Sequence, residues 1–163
     1  MRWHSSSSIA LLLLVLLSGC KEEKLAQGAP APALAAFDLQ GKEATLARWQ
    51  GKKIYLNFWS ASCGGCMAEM ATLQALSEQW KDKIDVVAIN TDPDSVNIDE
   101  MLTMHHITYP VLRDQLKITQ ERYQVIGTPT SFVIDGKGQL ISMYQGARSE
   151  QALKEAFATL AQQ

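Results

Sequence analysis

Apolar positions along this chain change their spacing repeatedly, and the spacing predicts alternating strands and helices. Residues 53–58 (KIYLNF) and 84–89 (IDVVAI) are apolar, β-favouring runs of strand length. Their nearly continuous apolar character is what a parallel strand buried on both faces requires. Between them Met70, Leu73 and Leu76 recur at helical spacing, predicting a helix from about Cys66 to Trp80. Upstream, residues 37–39 and 44–46 flank Gln40-Gly41-Lys42 as a small hairpin. After Thr91, Asp92-Pro93-Asp94-Ser95 is good helix-start chemistry, and a helix is expected to run to His106. Residues 110–112 read as a short strand and 116–123 as a helix. The loop Gly127-Thr128-Pro129-Thr130 leads into a strand over 131–134, a turn over 135–138 and a return strand over 140–144. Ser149 then caps a last helix to about Ala161. Strand–helix–strand, a central insertion, then hairpin and helix give an α/β fold with a mixed central sheet flanked by helices.

The start of the chain follows a different rule. Arg2 precedes nine consecutive apolar residues, 9–17, and Leu17-Ser18-Gly19-Cys20 follows at once. Nine residues rise only about 14 Å as a helix, too little for a hydrocarbon core of about 30 Å. A secretory signal with a small-residue cleavage site fits that length. The tetrapeptide ending at Cys20 also resembles a bacterial lipobox, which implies acylation of the Cys20 sulfur and a membrane-anchored lipoprotein at the cell envelope. The alternative is an ordinary signal peptide cut a few residues later. Residues 1–19 are therefore read as a lipoprotein signal peptide, the polar then Ala/Pro-rich residues 20–36 as a tether, and 37–163 as the folded domain. Lys21 resembles the position-two residue of lipoproteins sent to the outer membrane.

A net charge of −2 argues against a nucleic-acid partner, which needs a basic face to neutralise phosphates. Three cysteines are too few for a disulfide scaffold or an all-cysteine zinc site. Cys63-Gly64-Gly65-Cys66 instead sits between a predicted buried strand and a predicted helix. Two intervening residues on a first helical turn bring both sulfurs within bonding distance. The first cysteine then meets the positive end of the helix dipole, which stabilises its thiolate. The second, shielded inside the helix, can resolve a mixed disulfide. Cys63 is assigned as attacking nucleophile and Cys66 as resolving thiol, their redox-active disulfide taking the place of a cofactor. Half a zinc site and a purely structural disulfide are the competing readings; the first lacks a second pair, and a loop this short gains little entropy from closure.

The stretch Phe58-Trp59-Ser60-Ala61-Ser62-Cys63-Gly64-Gly65-Cys66-Met67-Ala68-Glu69-Met70 resembles the active-site segment of thioredoxin-like oxidoreductases of the TlpA/ResA type. The similarity extends from about Ala31 to Leu160 and includes the N-terminal hairpin and central insertion. It implies a thioredoxin-like fold and an envelope enzyme that reduces disulfides of client proteins, as in cytochrome c maturation or protection of envelope thiols. A membrane thiol transporter is the implied electron donor. About 5–6% of X-Pro bonds are cis, yet the resemblance makes Pro129 the family's cis-proline. It would then present the Thr128 backbone to an extended client segment. Glu69 stands where the ResA branch has a buried acid near the resolving cysteine, able to take the Cys66 proton; a first-turn glutamate favouring the dipole is the alternative. Trp59 matches the tryptophan beside the dithiol, with core packing as its other role.

The chain also departs from the pattern. Asn57 replaces the buried aspartate of cytoplasmic thioredoxins, and Ser62 replaces the usual bulky residue before the first cysteine. Gly64 and Gly65 leave neither proline nor histidine between the cysteines. A thiolate with one stabiliser fewer makes a stronger reductant, which favours a reductase over a DsbA-like oxidase. A copper-handling module is the reading from another class: Met101, Met104 and His105 fall at i, i+3, i+4 of the predicted insertion helix. Copper chaperones of this fold, however, use C-x-x-x-C and a late histidine, and none follows His106. The threonine and arginine of a peroxiredoxin site are not found.

Overall fold

The strands order themselves by how completely their side chains are apolar. In the computed structural model, which describes residues 25–163, β3 (Lys53–Trp59) and β4 (Ile84–Asn90) lie parallel at the centre of a seven-stranded sheet. Both are buried along nearly their whole length. Around them are β1 (Ala36–Asp38), β2 (Glu43–Ala44), β5 (Val111–Arg113), β6 (Thr130–Ile134) and β7 (Leu140–Gln145). The order is β2-β1-β5-β4-β3-β6-β7, with β5 parallel to β4 and β1, β6 and β7 antiparallel to their neighbours. This is the mixed sheet of a thioredoxin-like fold. The central runs, the turn over 135–138 and the Ser149 cap lie where the spacing predicts them, Ser149 Oγ accepting the Ala152 N–H at 3.2 Å.

Alternation along β3 splits the core in two. Tyr55 and Trp59 point to one face, where they meet α1 (Gly64–Gln79), α2 (Asp99–Met104) and α4 (Glu150–Gln162). Ile54, Leu56 and Phe58 point to the other, against Tyr123 at the end of α3 (Ile118–Arg122), Trp49 and the N-terminal segment. Phe58, Tyr123 and Phe132 form an aromatic cluster there, with centroids 5.0–5.8 Å apart. Such contacts carry about 1 kcal/mol each beyond burial.

Four expectations need correction. The insertion helix spans only Asp99–Met104, because the Asp92 carboxylate accepts the Ala61 N–H and the Asn90 side-chain amide, both at 2.7 Å, in place of capping a helix of its own. The second arm of the N-terminal hairpin is just Glu43–Ala44; Leu46–Trp49 is a 3-10 turn that buries Trp49. Helix α1 begins at Gly64, before the expected Cys66, with Cys63 as its cap. The tether expected over 20–36 ends well before residue 36. Gly28 N donates to Leu140 O (2.8 Å), Leu140 N to Ala29 O (2.9 Å) and Ala31 N to Gly138 O (2.8 Å). These bonds satisfy an otherwise open sheet edge, and Leu34 and Ala36 are buried in the core. The signal peptide, Cys20 and Lys21 lie outside the described residues.

Candidate active site

A strand that ends buried and a helix that starts at once leave two cysteines in different surroundings. Cys63 is half-buried and caps α1, its Sγ accepting the Cys66 N–H at 3.1 Å. Cys66 lies one turn inside and is 2% exposed. A disulfide joins them, with Cα atoms 5.2 Å apart. Facing Cys63 toward the helix N-terminus places a developing thiolate against unpaired N–H groups.

The core-facing stripe of α1 is Cys66, Glu69, Met70, Leu73 and Leu76. Glu69 is thus a carboxyl on an apolar stripe, one turn from Cys66 and 3% exposed. Burial pushes its pKa up, opposed by the Arg148 backbone N–H that donates to its Oε1 and by the Arg148 charge. Among the described residues no hydrogen bond occupies Oε2. Two buried tyrosines also feel its charge, Tyr55 from β3 and Tyr109 from the loop before β5, and burial raises both of their pKa values.

Three chain segments close on the dithiol. The Thr128–Pro129 bond is cis, and a side-chain carbon on Gly65 would stand 3.6 Å from Pro129 Cδ, which places the proline loop against the CxxC turn. Ser60 and Thr128 hydroxyls approach to 3.3 Å. Thr128 makes no backbone hydrogen bond among the described residues, so its main chain is free to pair. Gly146 N donates to Pro129 O at 2.8 Å, and Ala147 Cβ would be only 2.9 Å from a Cβ on Gly65. Gly65 is therefore a close-approach glycine, whereas Gly64 is exposed with open space around it. On the fourth side Asp92 ties the loop before the dithiol to Asn90.

Cys63, Cys66, Glu69, Gly65, Thr128 and Pro129 thus converge. Trp59 is 1% exposed and packs in the α1/α4 core, its carbonyl accepting the Thr91 N–H at 3.0 Å. Met101, Met104 and His105 do not form a cluster: Met101 packs against the core, Met104 is 67% exposed, and His105 lies past the helix end. Sequence reasoning missed Asp92, Gly146, Ala147 and Arg148. Asp92 could have been found from its place just past the carboxyl end of β4, where α/β sheets build their sites. Arg148 carries no local signal.

Comparison with known proteins agrees with this geometry. The Redoxin family profile matches residues 26–160. A thiol-disulfide oxidoreductase ResA of Bacillus cereus is 31% identical over 157 residues, covering 89% of this chain and 91% of its own. One from Bacillus thuringiensis subsp. konkukian is 32% identical over 136 residues, covering 83% and 79%. A Chlorobium tepidum structure described as a thiol:disulfide interchange protein DsbE superposes with a TM-score of 0.77 at 28% identity, over 85% of this chain and 99% of the other. The paired cysteines at a strand-to-helix junction, the sheet around them and these relatives agree: the chain belongs to the Redoxin family and is a thiol:disulfide oxidoreductase built on the Cys63–Cys66 pair.

Proposed function

We propose that the protein reduces disulfides of client proteins on the extracytoplasmic side of the membrane, anchored there by a lipid on Cys20. The observation that carries the reading is the inequality of the two cysteines: Cys63 half-exposed at the cap of α1, Cys66 buried one turn from the acid on the core-facing stripe. In the reduced form the Cys63 thiolate attacks one client sulfur. The client S–S bond breaks, the leaving thiolate takes a proton from solvent, and a mixed disulfide joins client to Cys63. Glu69 takes the Cys66 proton, and the Cys66 thiolate attacks Cys63 Sγ. The second client sulfur leaves and is protonated in turn. Two electrons pass to the client, and the Cys63–Cys66 disulfide forms. An extended client segment pairs with the open main chain of Thr128, beside Pro129.

The reducing direction is supported by the lack of any imidazole between the cysteines, which leaves the Cys63 thiolate one stabiliser fewer and the reduced form less stabilised. A membrane thiol transporter returns the electrons. Residues 1–20, with their short apolar run ending at Cys20, support export and lipid attachment. Equilibration of the protein with a thiol buffer tests the direction. A two-electron couple near about −270 mV, the thioredoxin value, is expected; one near about −120 mV, the DsbA end, makes it an oxidase.

A further inference from the structure

Glu69 is 79 residues from its hydrogen-bond donor in sequence, and the donor belongs to a segment that also meets Pro129 and Gly65. Gly146 holds the carbonyl of cis-Pro129, Ala147 fills the space that a side chain on Gly65 would need, and Arg148 N–H meets Glu69 Oε1. The Arg148 side chain is held as firmly as its backbone. Its guanidinium carbon sits 4.0 Å from the centroid of the Tyr144 ring, and Nη2 donates to Ala152 O at 3.1 Å. Among the described residues Nη1 is buried with no hydrogen-bond partner. Stacking and one carbonyl bond leave a cation with unspent donor capacity at the buried edge of the site.

We propose that Arg148 is a positioning residue for Glu69: its backbone N–H turns Oε1 away and leaves Oε2 for the Cys66 proton, while its guanidinium, clamped on Tyr144, keeps the carboxyl ionisable in an apolar setting. The inference rests on the proton role given to Glu69 above. The groups that face Glu69 are Cys66 from its own helix, Tyr55 from β3, Tyr109 from the loop before β5, and Arg148 from the β7–α4 junction. The tyrosines are neutral across the working range, so among the described residues Arg148 supplies the only charge that favours the carboxylate. Removing it moves the Glu69 midpoint upward, because an opposite charge nearby favours the ionised form.

Arg148→Met keeps the backbone N–H and the length of the stem but removes the charge; Arg148→Lys restores charge without the planar fork. Carbon-13 NMR of the Glu69 carboxyl gives its midpoint, and the pH dependence of mixed-disulfide resolution gives the kinetic limb. In Arg148→Met both are expected to move upward, and Arg148→Lys is expected to recover part of that shift. If Arg148→Met does not fold, Arg148→Gln gives the same readouts. A Glu69 midpoint that superimposes on wild type in the charge-free variant overturns the proposal. Glu69→Gln separates the two ideas: loss of the limb there supports the Glu69 reading, and an unchanged limb sinks that reading while the NMR midpoint still decides whether Arg148 tunes the carboxyl.

Discussion

The two faces of the central sheet each bury an apolar cluster but place their polar groups differently. On the face covered by α3 and the N-terminal segment, the buried Tyr123 donates its hydroxyl to Pro32 O at 2.8 Å and closes an aromatic cluster. On the face covered by α1 and α4, the Tyr55 hydroxyl and the Trp59 indole N–H make no well-formed hydrogen bond among the described residues, the former lying near the Ser131 and Arg148 side chains, and Glu69 lies on the same face. Each unmet buried group costs about 1–3 kcal/mol. The α1/α4 face gathers such groups near the dithiol, whereas on the α3 face Gln120 Oε1 is an unmet side-chain atom among the described residues. Strained or unsatisfied groups concentrate where a fold does chemistry.

The largest effect should come from the cysteines themselves. Cys63→Ser is expected to abolish disulfide exchange, and Cys66→Ser to accumulate client mixed disulfides through Cys63. Mass spectrometry of the trapped adduct checks this, and an adduct on Cys66 in the converse variant would reverse the roles. Next is the glycine pair. Gly65→Ala forces Ala147 aside and should cost about 1–3 kcal/mol, with slower exchange, since it loosens the junction that meets Pro129 and Glu69. Gly64→Ala meets open space and should stabilise by about 0.4–1 kcal/mol. Urea midpoints of the two variants decide between them.

The tyrosines sharpen the contrast between faces. Tyr123→Phe leaves the Pro32 carbonyl unpaired and should cost about 1 kcal/mol, whereas Tyr55→Phe removes an orphan hydroxyl and should leave stability unchanged or slightly higher. Equal losses in both would break the two-face account. The smallest effect is a slope. The pKa of Glu69 is raised on folding, so the folded state prefers its protonated form. The stability it contributes is full below the ordinary glutamate range and is lost as pH rises through the raised folded value. Glu69→Gln should flatten that decline in urea midpoints between acid and neutral pH; an identical decline in both proteins would remove Glu69 from the linkage.

Legibility followed the reach of each interaction. The central strands and α4 could be read because their periods and caps involve neighbours a few residues apart. Glu69 was singled out through the family resemblance, and its place one turn after Cys66 on α1 is what the fold then buries. Asp92 was misread because an aspartate before Pro93 looks like a helix cap, and the Ala61 N–H that claims it lies 31 residues away. Ala/Pro-rich composition hid the packing of residues 28–36, because an open strand edge is a property of the assembled sheet and not of the segment that covers it.

By itself, then, the sequence determined that two cysteines would stand at a strand-to-helix junction with one sulfur at the helix cap and the other inside. Strand length, helix phase and capping are local, and each acts within a turn or a pleat. The tertiary structure alone decided which glycine is indispensable and which backbone N–H meets Glu69, and it alone brought Pro129 against Gly65. Those contacts join β6, the β7–α4 junction and α1, and no local propensity can specify a close approach between segments that only the packed sheet brings together.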